Sequence, residues 1–152
     1  NDRTADTVTV PGGAAPTVVY RARKGGEVSA VAYRVIGQGY GGEIELVIGL
    51  DRMGEILGVR VIRHAETPGL GDRIDARKSD WIAAFTGRSR ANTPESQWAV
   101  KKDGGSFDQF SGATITPRAV VKAVKAGLDL FDAHRAEMLA AEPPPRQPET
   151  RP

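Results

Sequence analysis

Ser111, Gly112, Ala113 and Thr114 are small residues in a row, with Thr116 and Pro117 close behind them. The pattern predicts a helix with Thr116 as its N-cap and Pro117 at the first helical position, where a missing N–H costs nothing. A helix N-terminus presents unpaired N–H groups and partial positive charge, which suits a phosphate. Small residues let a phosphate approach the backbone, and Thr114 and Thr116 supply hydroxyls beside it. The residues alone leave two readings open: a phosphate-binding loop, or a tight turn feeding a capped helix.

A second stretch, His64-Ala-Glu-Thr-Pro-Gly-Leu-Gly-Asp72, follows an expected strand. Taken alone, its Pro68-Gly69 pair reads as a turn. A third, Gly37-Gln-Gly-Tyr-Gly-Gly42, satisfies the spacing G-x-G-x-x-G. The dinucleotide fingerprint needs a helix next, and Glu43-Ile-Glu-Leu-Val47 reads as a strand, so a nicotinamide site is rejected. His64 and His134 have no partners at metal or triad spacing and read as surface or structural residues. Asp51 to Glu55 is too short for a calcium loop. No nucleophile–base arrangement is evident.

The elements that must position these loops divide the chain. Thr17–Arg23 is a short β-branched run, turned by Lys24-Gly25-Gly26 into Val28–Ile36, where Val31, Tyr33 and Val35 share a side. Glu43–Leu50 alternates, with Ile44, Leu46, Ile48 and Leu50 on one face and Glu43 and Glu45 on the other. A turn over Asp51–Gly54 leads into Ile56–Arg63 as an antiparallel hairpin. Ser79 is expected to cap a helix that turns Trp81, Ile82 and Phe85 inward. Trp98–Lys101 reads as a short strand. Val121, Val124, Leu128 and Phe131 follow at helical spacing in a last helix running to about Ala140. Strands followed by helices predict an α+β fold, an antiparallel β-sheet of hairpins packed with helices, the long one C-terminal.

The 152 residues suit one domain with tails: an arm or linker over 1–15, a domain over 16–141, and a Pro-rich tail over 142–152. The last ten residues hold five prolines and three charged residues, which predicts an extended or disordered end. A net charge of +2, dispersed along the chain, is not the crowded basic face of a nucleic-acid binder. The absence of cysteine excludes disulfides and thiolate-held metals or clusters. No apolar run approaches the roughly 18–20 residues needed to cross a bilayer. The chain starts at Asn1 and not at Met, so it is expected to be a processed or truncated piece.

Asp108-Gln-Phe-Ser-Gly-Ala-Thr114 resembles the flavinylation motif Asp-x-x-Ser-Gly-Ala-Thr of the FMN-binding domain family. The stretch Glu66-Thr-Pro-Gly-Leu-Gly71 resembles a loop of the G subunit of the Rnf electron-transport complex, and the likeness spans roughly residues 17–140. The two motifs stand apart in the chain and in the expected order, which is more specific than either alone. The resemblance implies an electron carrier with FMN as its redox centre, joined by a phosphodiester bond to Thr114 by a flavin transferase that uses FAD. It implies a cofactor site of Ser111, Gly112, Ala113, Thr116, Glu66, Thr67, Gly69, Leu70, Gly71 and Tyr40, with Asp108 in the attachment motif. It also implies the other membrane subunits of an Rnf-type ferredoxin:NAD complex as partners, or those of the related SoxR-reducing system. The family's single N-terminal membrane helix is missing from this sequence; with it, the domain would sit on the periplasmic side of the inner membrane. The alternatives are the C subunit of the sodium-pumping NADH:quinone oxidoreductase, which shares the Ser-Gly-Ala-Thr type of motif, and a non-redox extracytoplasmic binding or scaffold module.

Overall fold

A computed structural model describes residues 6–12 and 15–140. The tail expected over 142–152 lies outside the described residues. Five strands form one antiparallel meander in chain order: β1 (Asp6–Val10), β2 (Thr17–Lys24), β3 (Glu27–Gln38), β4 (Glu43–Asp51) and β5 (Ile56–Arg63). Short 3-10 turns at Gly71–Ile74, Trp81–Phe85, Glu95–Gln97 and Lys101–Asp103 lead to the helix α1 (Ile115–Met138). The α+β class and the long C-terminal helix agree with the sequence.

The alternation in β4 does what its period demands. Ile44, Leu46, Ile48 and Leu50 are fully buried, while Glu45 turns to the other face and pairs with Arg34 and Arg63. Val31 and Tyr33 of β3 join the same core face. Helix α1 lies across this face with Val120, Val121, Val124, Leu128 and Phe131 turned inward. The Tyr33 hydroxyl donates to the Gly127 carbonyl at 2.5 Å, which fixes the helix against β3. Burial, aided by Asp132, pushes the Tyr33 phenol well above its usual value, so it stays a donor.

Four details differ from the sequence reading. Asp6–Val10, inside the stretch read as an arm, is an edge strand paired with β2. Arg21, buried in β2, explains its placement: it donates to Asp6 Oδ1 at 2.8 Å and to the carbonyls of Met138 and Ala140 at 3.4 and 3.3 Å. One guanidinium therefore ties the edge strand to the end of α1, where cations suit the exposed carbonyls. Trp81–Phe85 is a 3-10 turn, although the Ser79 hydroxyl does accept the Trp81 N–H at 3.2 Å. Trp98–Lys101 is not a strand; within it only Val100 bridges, to Phe107, between two short turns. The helix ends at Met138, with a kink at His134.

Between β5 and α1 the chain packs an aromatic cluster. Phe85 stacks on Phe107 with centroids 4.5 Å apart, and Trp81 meets Phe110 edge-on at 5.4 Å. Trp81 Nε1 donates to the Asp108 carbonyl at 2.9 Å, and the Arg73 guanidinium lies 4.8 Å over the Phe110 ring. The cluster thus holds the segment leading into Ser111.

Candidate cofactor site

Helix α1 begins earlier than a cap at Thr116 would allow. Thr114 is the N-cap, with φ −67° and ψ −30°, and Ile115 is the first helical residue. Pro117 falls at the third helical position, which it tolerates because the first N–H groups of a helix have no internal partner. The shift has a chemical consequence. The Thr114 side chain makes no capping hydrogen bond, so its hydroxyl is not engaged by its own helix. Thr114 is half-buried, and it opens on a pocket of about 370 Å³. That volume falls within the usual range for small-molecule sites, roughly 300–1,000 Å³.

The pocket is lined by Tyr40, Glu66, Thr67, Leu70, Gly71, Gly112, Ala113, Thr114, Ile115 and Thr116. Three segments distant in sequence therefore meet: the β3–β4 loop, the loop after β5, and the start of α1. Of the residues expected at the site, Ser111 and Gly69 are exposed neighbours outside this lining. Asp108 is also outside it, ion-paired with Lys101 at 2.8 Å. Tyr40, Leu70 and Ile115 form an exposed apolar rim. Ile115 had no signal in the sequence beyond its place between the two threonines.

Glu66 is the hub. Its side chain is buried and accepts three hydrogen bonds: from Tyr40 N–H at 3.0 Å, Gly41 N–H at 2.8 Å and the Thr116 hydroxyl at 2.5 Å. Thr116, read from sequence as the cap, faces this carboxylate instead. The glycine loop that mimicked a dinucleotide fingerprint serves the same group, since its amides wrap a carboxylate of the protein itself. The approach is close enough to favour glycine at several points, two of them at positions 41 and 71. A Cβ at position 41 would lie 2.0 Å from the Ala65 carbonyl oxygen, and one at position 71 would lie 2.6 Å from the Thr116 hydroxyl. Gly71 thereby lets the loop after β5 lie against α1.

Further bonds stiffen this loop. The Glu66 N–H donates to His64 Nδ1 at 3.0 Å, and the Gly69 N–H donates to Asp72 Oδ1 at 2.9 Å. Both His64 and Asp72 are structural; nothing in the local pattern around Asp72 marks it out. His64 Nε2 lies 3.9 Å from Asp75, whose carboxylate receives Arg77 Nη2 at 2.8 Å. Hydrogen bonds from the Arg77 side chain and backbone, opposed by burial, hold the Asp75 carboxyl far below its ordinary range. A depressed carboxylate supplies stability that is fully present above its unfolded value of 3.8 and lost as pH falls from there through the folded value. Urea unfolding midpoints are therefore expected to drop as the pH is lowered from about 4 to about 2, with a shallower slope in Asp75→Asn. Equal slopes in the two proteins would show that Asp75 is not a source of the acid sensitivity.

The electrostatics of the pocket favour one kind of anion placement. Among the described residues, its lining contains no Lys, Arg or His. The Ile115 and Thr116 N–H groups at the start of a 24-residue helix supply the positive end. Against the Glu66 carboxylate, which also lines the pocket, the helix end leaves Thr114 as the best-placed point for an anion, with a flat apolar group toward the rim. Among the described residues, no group of three or more His, Cys, Asp and Glu is placed to hold a metal ion.

A pocket that pairs a threonine hydroxyl unengaged by its helix and a helix N-terminus with an apolar mouth has the chemistry to take a phosphate-bearing ligand with a flat ring. The chain belongs to the FMN-binding domain family, whose sequence model matches residues 39–129, from the glycine loop through most of α1. It is 53% identical over 145 residues to the G subunit of the ion-translocating oxidoreductase complex of Cereibacter sphaeroides, covering 95% of this chain and 66% of that protein. The corresponding G subunit of Pseudomonas aeruginosa is 53% identical over 129 residues, covering 84% of this chain and 60% of that one. The chain thus spans about three fifths to two thirds of the length of these relatives. The crystal structure of Shewanella oneidensis NqrC shares the fold, with a TM-score of 0.63 at 23% identity, covering 88% of this chain and 69% of that one. Among the described residues, no helix is long and apolar enough to cross a membrane.

Proposed function

We propose that this chain is the flavin-carrying part of the G subunit of an Rnf-type ion-translocating oxidoreductase complex, with FMN joined to Thr114 by a phosphodiester bond. The observation that carries the reading is the Thr114 hydroxyl, unengaged by its helix and opening on the pocket where a phosphate is best stabilised. The residues fit the group. Ile115 and Thr116 N–H groups stabilise the phosphodiester anion, and Gly112 and Ala113 leave room for it. Tyr40, Leu70 and Ile115 offer apolar surface to the ring, while Thr67, exposed on its turn, offers a hydroxyl at the edge. Bound FMN would supply electron transfer between the complex's redox centres, and the protein would bind, orient and tune it.

In this reading a flavin transferase makes the bond. The other membrane subunits are the partners, and an N-terminal membrane helix anchors the domain on the periplasmic side. The 53% identity to G subunits, against 23% to NqrC, supports Rnf-type membership over the sodium-pumping alternative. The test is expression with a flavin transferase, followed by intact mass and peptide mapping of residues 102–118. The expected result is an increase of one FMN, located on Thr114. An unmodified chain under those conditions would instead favour a non-redox binding or scaffold module.

A further inference from the structure

Resting on the FMN reading above, we infer that Glu66 is a positioning residue with an electrostatic effect: its buried carboxylate lowers the reduction potential of the flavin, and Thr116 controls by how much. Among the described residues, Glu66 is the only carboxylate lining the pocket, and no cationic side chain lines it with Glu66. The residue is 5% exposed. Its compensation comes from dipoles, two backbone N–H groups and one hydroxyl, and not from an ion pair. Dipoles stabilise the charge without cancelling it, and the charge acts strongly where water is scarce.

The nearby cations are engaged elsewhere. Arg73 donates to the Leu70 carbonyl and lies over Phe110, and Lys78 lies 4.0 Å from Asp72. Electrons added to a ring in this pocket therefore meet a fixed negative charge with no neighbouring cation in the lining. The oxidised form is favoured relative to a neutral site.

A purely structural brace would leave the potential unchanged, so the potential is the readout. Flavin-loaded wild type, Glu66→Gln, Thr116→Val and Thr116→Ser are titrated at one fixed pH of about 8, where dithionite is an effective reductant. Dithionite supplies the electrons and is itself oxidised to sulfite; the protons come from solvent.

Loaded Glu66→Gln is expected to be easier to reduce, by at least tenfold in the reduced-to-oxidised ratio at fixed potential, about 30 mV for a two-electron couple. Thr116→Val removes a donor from the carboxylate and is expected to move the potential the opposite way, with Thr116→Ser restoring the wild-type value. A loaded Glu66→Gln at or below the wild-type potential overturns the inference. Glutamine sets an NH₂ against a backbone N–H, so this variant risks losing its flavin. In that event Thr116→Val decides, and a potential equal to or above wild type overturns the inference. A wild-type chain that never acquires flavin counts against the FMN reading itself and is distinguishable from both outcomes.

Discussion

Thr114→Ala, co-expressed with a flavin transferase, is expected to carry no covalent flavin while keeping the wild-type fold. The loss should be complete, because among the described residues no other hydroxyl at the start of the helix is unengaged and lines the pocket. Thr116 is the nearest alternative, but it is 2% exposed and already donates to Glu66. Ser111 is exposed and outside the pocket lining, and Thr67 stands on the loop after β5, not on the helix whose N–H groups stabilise the phosphate. Stability should change little. Thr114 makes no capping hydrogen bond to lose, so the usual penalty of about 1 kcal/mol for removing a cap does not apply. Intact mass and thermal unfolding check both halves. An adduct that persists on Thr114→Ala would move the attachment point elsewhere; a large drop in unfolding temperature would mean that the side chain is part of the packing.

Gly41→Ala is expected to have a large structural effect at the site. The new methyl would lie 2.0 Å from the Ala65 carbonyl oxygen, a backbone atom that cannot step aside without moving the start of the Glu66 loop. The Gly41 N–H would then leave Glu66 Oε2, and a buried carboxylate would lose one of its three donors. Overpacking of about 1–3 kcal/mol and a lost charge-assisted bond of about 1.5–3 kcal/mol act together. A total of ~4 kcal/mol corresponds to an unfolding temperature lower by roughly 10 °C or more, with flavin loading reduced in parallel. Gly58→Ala is the control: it lies in β5 with no atom within 4 Å of an added Cβ, and its effect should be within about 0.5 kcal/mol. Equal melting temperatures for Gly41→Ala and Gly58→Ala would show that the loop accommodates the methyl.

Much of the frame was legible because period speaks directly to burial. Ile44 to Leu50 alternate, and the structure buries the face they share. The apolar stripe of α1 packs on the sheet as its spacing required. The failures have physical causes. Pro117 did not fix the helix start, since any of the first positions tolerates a missing N–H. Asp6–Val10 hid within a polar, Gly-rich stretch because its anchors, Arg21 and Arg23, lie beyond the local window. Trp98–Lys101 had the residues of a strand, but among the described residues its bridge to a neighbour is confined to Val100 and Phe107, and Trp98 joined the aromatic cluster.

The site divides in the same way. Two motifs that resemble those of a known family contain most of its residues, and most of these line one pocket. Their arrangement was not visible. Nothing in the local pattern says that Glu66 is held by Tyr40 and Gly41, 26 and 25 residues upstream, and by Thr116, 50 residues downstream. From sequence Glu66 reads as a cofactor contact; it lines the pocket, and both oxygens of its carboxylate receive donors from the protein, which the sequence did not show.

The meander also bears on how the protein comes together. Every strand pairs only with its chain neighbour, so the sheet can assemble from local hairpins at small loss of chain entropy. The pocket cannot: it closes only when the last helix docks and Thr116 reaches a partner made 50 residues earlier. A state with the hairpins formed and the helix undocked would therefore have β-structure and no pocket. Competence to hold a cofactor is therefore a finer gauge of the native state than the content of β-structure.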